Sequence, residues 1–179
     1  MSDLPTVLPQ RVSVAAAVRC ALGEGPVWDE STGHLWFVDI PAPAIHRLDP
    51  RTGHVETRRL SEPVGFVVGT QTPGTVIAGL RSGLAEITWD GGALRPLGHP
   101  EPGTPGLRLN DGTVGPDGAL YFGTMDEGEE RPVGRFWRWD GASFTVFGEP
   151  TTVTNGPAFS PDGRVLYAVD STRGTILAH

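Results

Sequence analysis

The chain has 179 residues, 38% of them hydrophobic, which is enough for one ordinary core and too little for two generous ones. Its formal net charge of −7, with no Lys/Arg cluster to break the trend, opposes attraction to phosphate backbones or anionic lipid, so neither nucleic acid nor a membrane surface is an expected partner. Gly (25) and Pro (17) alternate with apolar and aromatic runs rather than replacing them, and so read as punctuation between many short strands, not as disorder.

The N-terminal MSDLPTVLPQR has neither a basic start nor a long apolar run, and no window approaches the ~18 apolar residues of a membrane span; a cytoplasmic location is the expectation. The stretch Arg11–Arg19 looks like an orphan strand of the kind that zips onto a last sheet. Cys20, the single cysteine, cannot form an intrachain disulfide and is expected as a small core residue.

From Glu24 a repeat sets in. EGPVWDESTGHLWFVDI (from Glu24), VGFVVGTQTPGTVIAGL (Val64), DGTVGPDGALYFGTMD (Asp111) and NGPAFSPDGRVLYAVDS (Asn155) each pair two apolar strands around a turn rich in Gly, Pro or Asp. Gly25, Gly65, Gly112 and Gly156 anchor them at spacings of 40, 47 and 44 residues, the period of a four-stranded propeller blade. Third strands are expected around Ile45, Ile87, Trp137 and Ile176, and DPRTG, DGG and DGA then mark hairpins into fourth strands, because Asp and Gly tolerate φ > 0. A β-sandwich also alternates strands with Gly/Pro turns, but it does not require a register that returns every 40 to 47 residues. The expected fold is therefore all-β, a single β-propeller domain over 1–179 with about three and a half to four blades. Trp28, Trp36, Phe37, Trp89, Trp137 and Trp139 are expected to pack between blades. An arc of this size is expected to be an unfinished ring whose open blade edges favour self-association.

Propeller sites gather one residue from each of several blades at the channel mouth. Glu24, Asn110 and Asn155 hold equivalent places near three repeat starts, and one carboxylate with two amide carbonyls makes a hard oxygen set suited to a divalent cation. The bland alternative for either asparagine is a left-handed turn residue ahead of Gly. His34, His46, His54 and His99 fall in turn or hairpin contexts and His179 is terminal, so all five are expected at the surface. Asp126 and Glu127 are placed near the channel mouth. Asp117 and Asp162, each in Pro-Asp-Gly, are assigned to hairpin turns.

LGEGPVWDESTGHLWFVDI, RLNDGTVGPDGALYFGTMD and TNGPAFSPDGRVLYAVDS, taken together and in this order, resemble the SMP-30/gluconolactonase/regucalcin-like proteins from Leu22 to about Ser171. The resemblance implies a six-bladed propeller holding one divalent cation (Ca²⁺, Zn²⁺, Mg²⁺ or Mn²⁺) and a lactonase that opens sugar lactones to the acids. It matches Glu24 and Asn155 to metal ligands and Arg108 and Asn110 to substrate-binding groups, Asn110 lying close to the metal. The catalytic aspartate that it implies belongs one blade further on, some fifty positions after Asn155 and so past His179, and residues 1–179 alone are on that account expected to bind metal weakly and turn over little. The alternatives are a metal- or ligand-binding propeller without turnover, and an inactive fragment; fold alone does not choose.

Overall fold

Residues 13–179 are described by a computed structural model, and every regular element among them is a strand. Blade 1 comprises β1 (Gly23–Asp29), β2 (His34–Asp39), β3 (Ala44–Asp49) and β4 (His54–Arg59), and blade 2 comprises β5 (Val64–Gly69), β6 (Thr75–Leu80), β7 (Gly83–Thr88) and β8 (Leu94–Gly98). Blade 3 follows with β9 (Leu107–Val114), β10 (Leu120–Asp126), β11 (Gly134–Trp139) and β12 (Phe144–Thr151); the fourth sheet has β13 (Thr154–Phe159), β14 (Leu166–Asp170) and β15 (Thr175–Ala178). Strands in each sheet are antiparallel and neighbour in chain order, because each hairpin turn is too short for a crossover. The four sheets are arranged as propeller blades, as the Gly-anchored period requires. Among the described residues no helix is long and apolar enough to cross a membrane.

Apolar side chains of neighbouring blades meet between the sheets, on both faces of blade 2. Trp36, Val38 and Ile45 of blade 1 pack against Val64, Val76, Leu80 and Ile87 of blade 2, and Phe66, Val68 and Leu84 of blade 2 pack against Leu109, Leu120 and Phe122 of blade 3. Trp36 meets Trp89 edge-on at 4.9 Å, Arg47 lies over both rings, and Glu56 accepts from Trp89 Nε1 and from Arg47 Nε (2.7 and 2.8 Å). Buried aromatic faces of this kind add attraction beyond their area. Trp137 and Trp139 pack between blades as expected. Trp28 does not: it is 51% exposed, because strand alternation turns it out of the core that Trp36 and Trp89 fill. Phe37 stacks on His46 within blade 1.

Three further expectations are corrected. Residues 13–20 carry no strand; they run irregularly beside blade 1, where Ala15, Ala16 and Val18 face Leu35, Phe37 and Leu48 across a cavity, while residues 11 and 12 lie outside the described residues. Cys20 belongs to this segment and is half-buried rather than in a core. His46 is only 7% exposed, because it sits mid-strand in β3 opposite Phe37, not in a turn; His34 and His99 are half-buried, while His54 and His179 are exposed.

The first strands pack in succession, β1 on β5, β5 on β9 and β9 on β13. Each slips register against its partner near the glycine that anchors the repeat: between Glu24 and Val27, between Val64 and Phe66, between Leu109 and Gly112 (opposite Thr124 and Phe122), and between Asn155 and Ala158. A bulge bends a strand and re-aims its side chains. Gly156 takes φ 69° within its bulge, a conformation cheap only for glycine.

Candidate functional site

These slips aim polar side chains from three blades into one cavity of about 110 Å³. Glu24 comes from β1, Arg108, Asn110 and Asp111 from β9, and Asn155 from β13; Gly65 of β5, Met125 and Glu129 are also in the wall. The four residues expected from sequence are thus neighbours around one space. Neither asparagine is a left-handed turn residue, since Glu129 is the one non-glycine at positive φ among the described residues.

Asn110 is buried, and both of its amide N–H groups are engaged. Its Oδ1 accepts from Arg108 Nη1 at 2.6 Å, and its Nδ2 donates to the Thr154 carbonyl and to Asn155 Oδ1 (3.3 Å for the latter). Asn155 Nδ2 donates in turn to Ser171 Oγ at 2.7 Å, which leaves Asn155 Oδ1 the oxygen that faces the other polar groups. Arg108 also donates to the Leu109 carbonyl at 3.2 Å, and burial pulls its pKa down against the opposing charges of Glu127 and Glu129. A guanidinium held this way keeps further N–H groups for a ligand.

Asp111 lines the same cavity and is not among the residues expected from the sequence. Its Oδ1 accepts from Gly112 N (2.8 Å) and its Oδ2 from Gly156 N (2.9 Å), which ties β9 to the bulge that carries Asn155. Burial raises its carboxyl above the usual range, the Gly112 and Gly156 amides pull against that, and the charge of Glu24 raises it further. Two carboxylates that repel across a partly buried space, with amide oxygens beside them, are better stabilised when a cation lies between them. The donors are all oxygens, so the set fits a hard divalent ion.

Asp126 and Glu127 lie beside the cavity without lining it. Asp126 turns inward, where its carboxylate is held at about 2 by the Arg131 side chain and then by the amides of Glu130 and Arg131; Glu127 pairs with Arg81 at 2.6 Å. Because the folded pKa lies below the unfolded value of ~3.9, the stability from this carboxylate is complete above about pH 4 and is lost as the pH falls toward 2. Urea unfolding of the wild type and Asp126→Asn is expected to show the wild-type advantage at pH 6 shrink by pH 2.5; an advantage equal at both would contradict it. Asp117 and Asp162 bind Ala119 N and Arg164 N in the hairpin turns assigned to them.

Residues 22–179 match the SMP-30/Gluconolactonase/LRE-like region. A 6-deoxy-6-sulfogluconolactonase of Pseudomonas putida is 37% identical over 84% of this chain and 52% of its own length, and an L-arabinolactonase of Azospirillum brasilense is 33% identical over 90% and 55%. Among solved structures, a calcium-binding protein, regucalcin, from Agrobacterium tumefaciens superposes with a TM-score of 0.87 at 27% identity, over 92% of this chain and 56% of that one. The chain spans about half the length of the curated relatives it matches.

Proposed function

The chain belongs to the SMP-30/gluconolactonase/LRE-like family, and on that premise we propose that the whole protein is a cytoplasmic hydrolase that opens sugar lactones to aldonic acids with one divalent cation bound at the Glu24–Asn155 cavity. The observation that carries the reading is the convergence of Glu24, Arg108, Asn110 and Asn155, from three blades, on one small polar cavity. The lactonase relatives supply the substrate class.

In this reading Glu24 and Asn155 Oδ1 hold the cation, with Asn110 next to them. Asn110 fixes the guanidinium and the Asn155 amide in place, and the second lone pair of its oxygen remains available to the cation. Arg108 orients the substrate by donating to its hydroxyl or ring oxygens. Asp111 holds the Asn155 bulge through Gly156 N. When bound, the cation supplies a Lewis acid for the lactone carbonyl and lowers the pKa of a water. Hydrolysis then joins the water oxygen to the carbonyl carbon, breaks the ring C–O bond and leaves a proton on the former ring oxygen; a nearby carboxylate carries that proton.

Full-length protein is expected to open glucono-1,5-lactone, followed by acid release, faster with added divalent cation and to stop when EDTA is added. Activity that EDTA leaves untouched would overturn the metal-dependent reading, and no opening of any aldonolactone by metal-loaded protein would overturn the lactonase reading.

A further inference from the structure

We propose that Cys20, Asp39 and His46 form a second metal centre, selective for Zn²⁺, that clips the segment before Glu24 onto blade 1. Their ligand atoms all lie within 4.8 Å of one another, with Cys20 Sγ 3.9 Å from His46 Nε2. Zn–S and Zn–N bonds of about 2.3 and 2.0 Å at a tetrahedral angle separate such a pair by roughly 3.5 Å, so the thiol and imidazole need close by only a few tenths of an ångström, while the carboxylate, within 4.8 Å of both, closes by up to about an ångström to seat the ion.

The sheet brings these groups together from distant places in the chain. β2 pairs with β3 so that Phe37 stands opposite His46 and Asp39 opposite Ala44, which puts Asp39 and His46 on one face as diagonal neighbours. Cys20 reaches that face from the irregular segment. His46 Nδ1 meets Thr57 Oγ1 at 2.9 Å, and with Nδ1–H donating there, Nε2 presents its lone pair toward Cys20, the arrangement in which a protein fixes a metal-binding imidazole. Asp39 Oδ2 accepts from Ala21 N (2.9 Å) and Oδ1 from Leu22 N (3.1 Å), and the Ala42 amide also binds the carboxylate, which leaves one of its four lone-pair sites for an ion.

A nucleophilic thiol does not explain the cluster as well. A Cys–His–Asp relay needs the carboxylate on the imidazole nitrogen remote from sulfur, and Thr57 holds that place. Here all three groups gather within 4.8 Å of one another. Thiolate, imidazole and carboxylate together select a borderline-soft ion and suit Ca²⁺ or Mg²⁺ poorly, so this centre is chemically distinct from the all-oxygen cavity. Binding replaces the thiol proton, which passes to solvent, by the ion. A cavity of about 370 Å³ bordering Cys20 leaves room for water as a fourth ligand. Because Cys20 is four residues ahead of Glu24, the clip would steady the strand that carries Glu24.

Co²⁺ serves as the coloured stand-in for Zn²⁺. The chain, freed of metal by chelator and titrated with Co²⁺, is expected to develop one equivalent of near-ultraviolet thiolate-to-metal charge-transfer absorption that Zn²⁺ abolishes. Cys20→Ser should lose the band and His46→Gln should raise the Co²⁺ concentration at its midpoint at least about tenfold, while Glu24→Gln leaves the size and midpoint of the band unchanged, with circular dichroism confirming that each variant is folded. No charge-transfer band in the wild type, a band that survives Cys20→Ser, or one lost in Glu24→Gln would overturn the proposal. All of these outcomes are independent of lactone hydrolysis.

Discussion

Gly65→Ala is expected to destabilise the protein by about 3 kcal/mol or more, the upper range for forcing atoms into a packed site. A Cβ on Gly65 would lie 2.3 Å from the Asn110 carbonyl oxygen and 2.4 Å from that of Leu109, and both obstacles are backbone. β5 approaches β9 closely because position 65 lacks a side chain, and the residues that must give way are Leu109, in the core between blades 2 and 3, and Asn110, in the cavity wall. Stability and site geometry are therefore expected to fail together. Gly69, in the same strand with nothing within 4 Å of its Cβ position, is the control, and Gly69→Ala should be near neutral. Urea midpoints measure both; equal midpoints for wild type and Gly65→Ala would show that blades 2 and 3 yield more easily than their packing implies.

On the proposed function, Asn155→Ala in the full-length protein is expected to cost at least about 100-fold in divalent-cation affinity, the upper end of what loss of a supporting partner costs a metal site, and to reduce lactone turnover by a comparable factor. The substitution removes the Oδ1 that faces Asn110 and the amide that donates to Ser171, but Asn155 is half-buried and its backbone pairing with Val169 does not need the side chain. The fold should therefore survive. Calorimetric titration with Ca²⁺ and Mn²⁺, beside a thermal melt, separates the two effects. Wild-type affinity in a folded Asn155→Ala protein would remove this residue from the ligand set.

The architecture was readable because glycine and turn residues recur at a nearly fixed distance, and that recurrence is backbone geometry written directly in composition. That Glu24, Asn110 and Asn155 meet at one cavity was readable for the same reason, since each stands within two residues of a repeat anchor. Asp111 was not. In a regular strand successive side chains point to opposite faces, so a residue next to Asn110 belongs on the other side; the slip between Leu109 and Gly112 lets both line the cavity, and a bulge leaves no mark on hydrophobic periodicity. Glu129 escaped because its place depends on a positive φ within an acidic loop. His46 was misread as a turn residue because the boundary of β3 decides whether it is exposed, and strand boundaries are the least legible feature of a sequence. Cys20, Asp39 and His46 are scattered in sequence and meet only through the pairing of β2 with β3 and the path of an irregular segment.

The recurrent register slip also bears on how such a site can change. Each blade delivers its polar residues through a local deformation of its first strand, while the packing between blades is handled mainly by other residues of the sheet, such as Trp36, Val76 and Phe122. Chemistry and cohesion are thus carried by largely separate positions. A substitution at Glu24 or Asn155 alters one corner of the cavity and leaves the interlocked cores alone, so the site can be lost or rebuilt one blade at a time through intermediates that still fold.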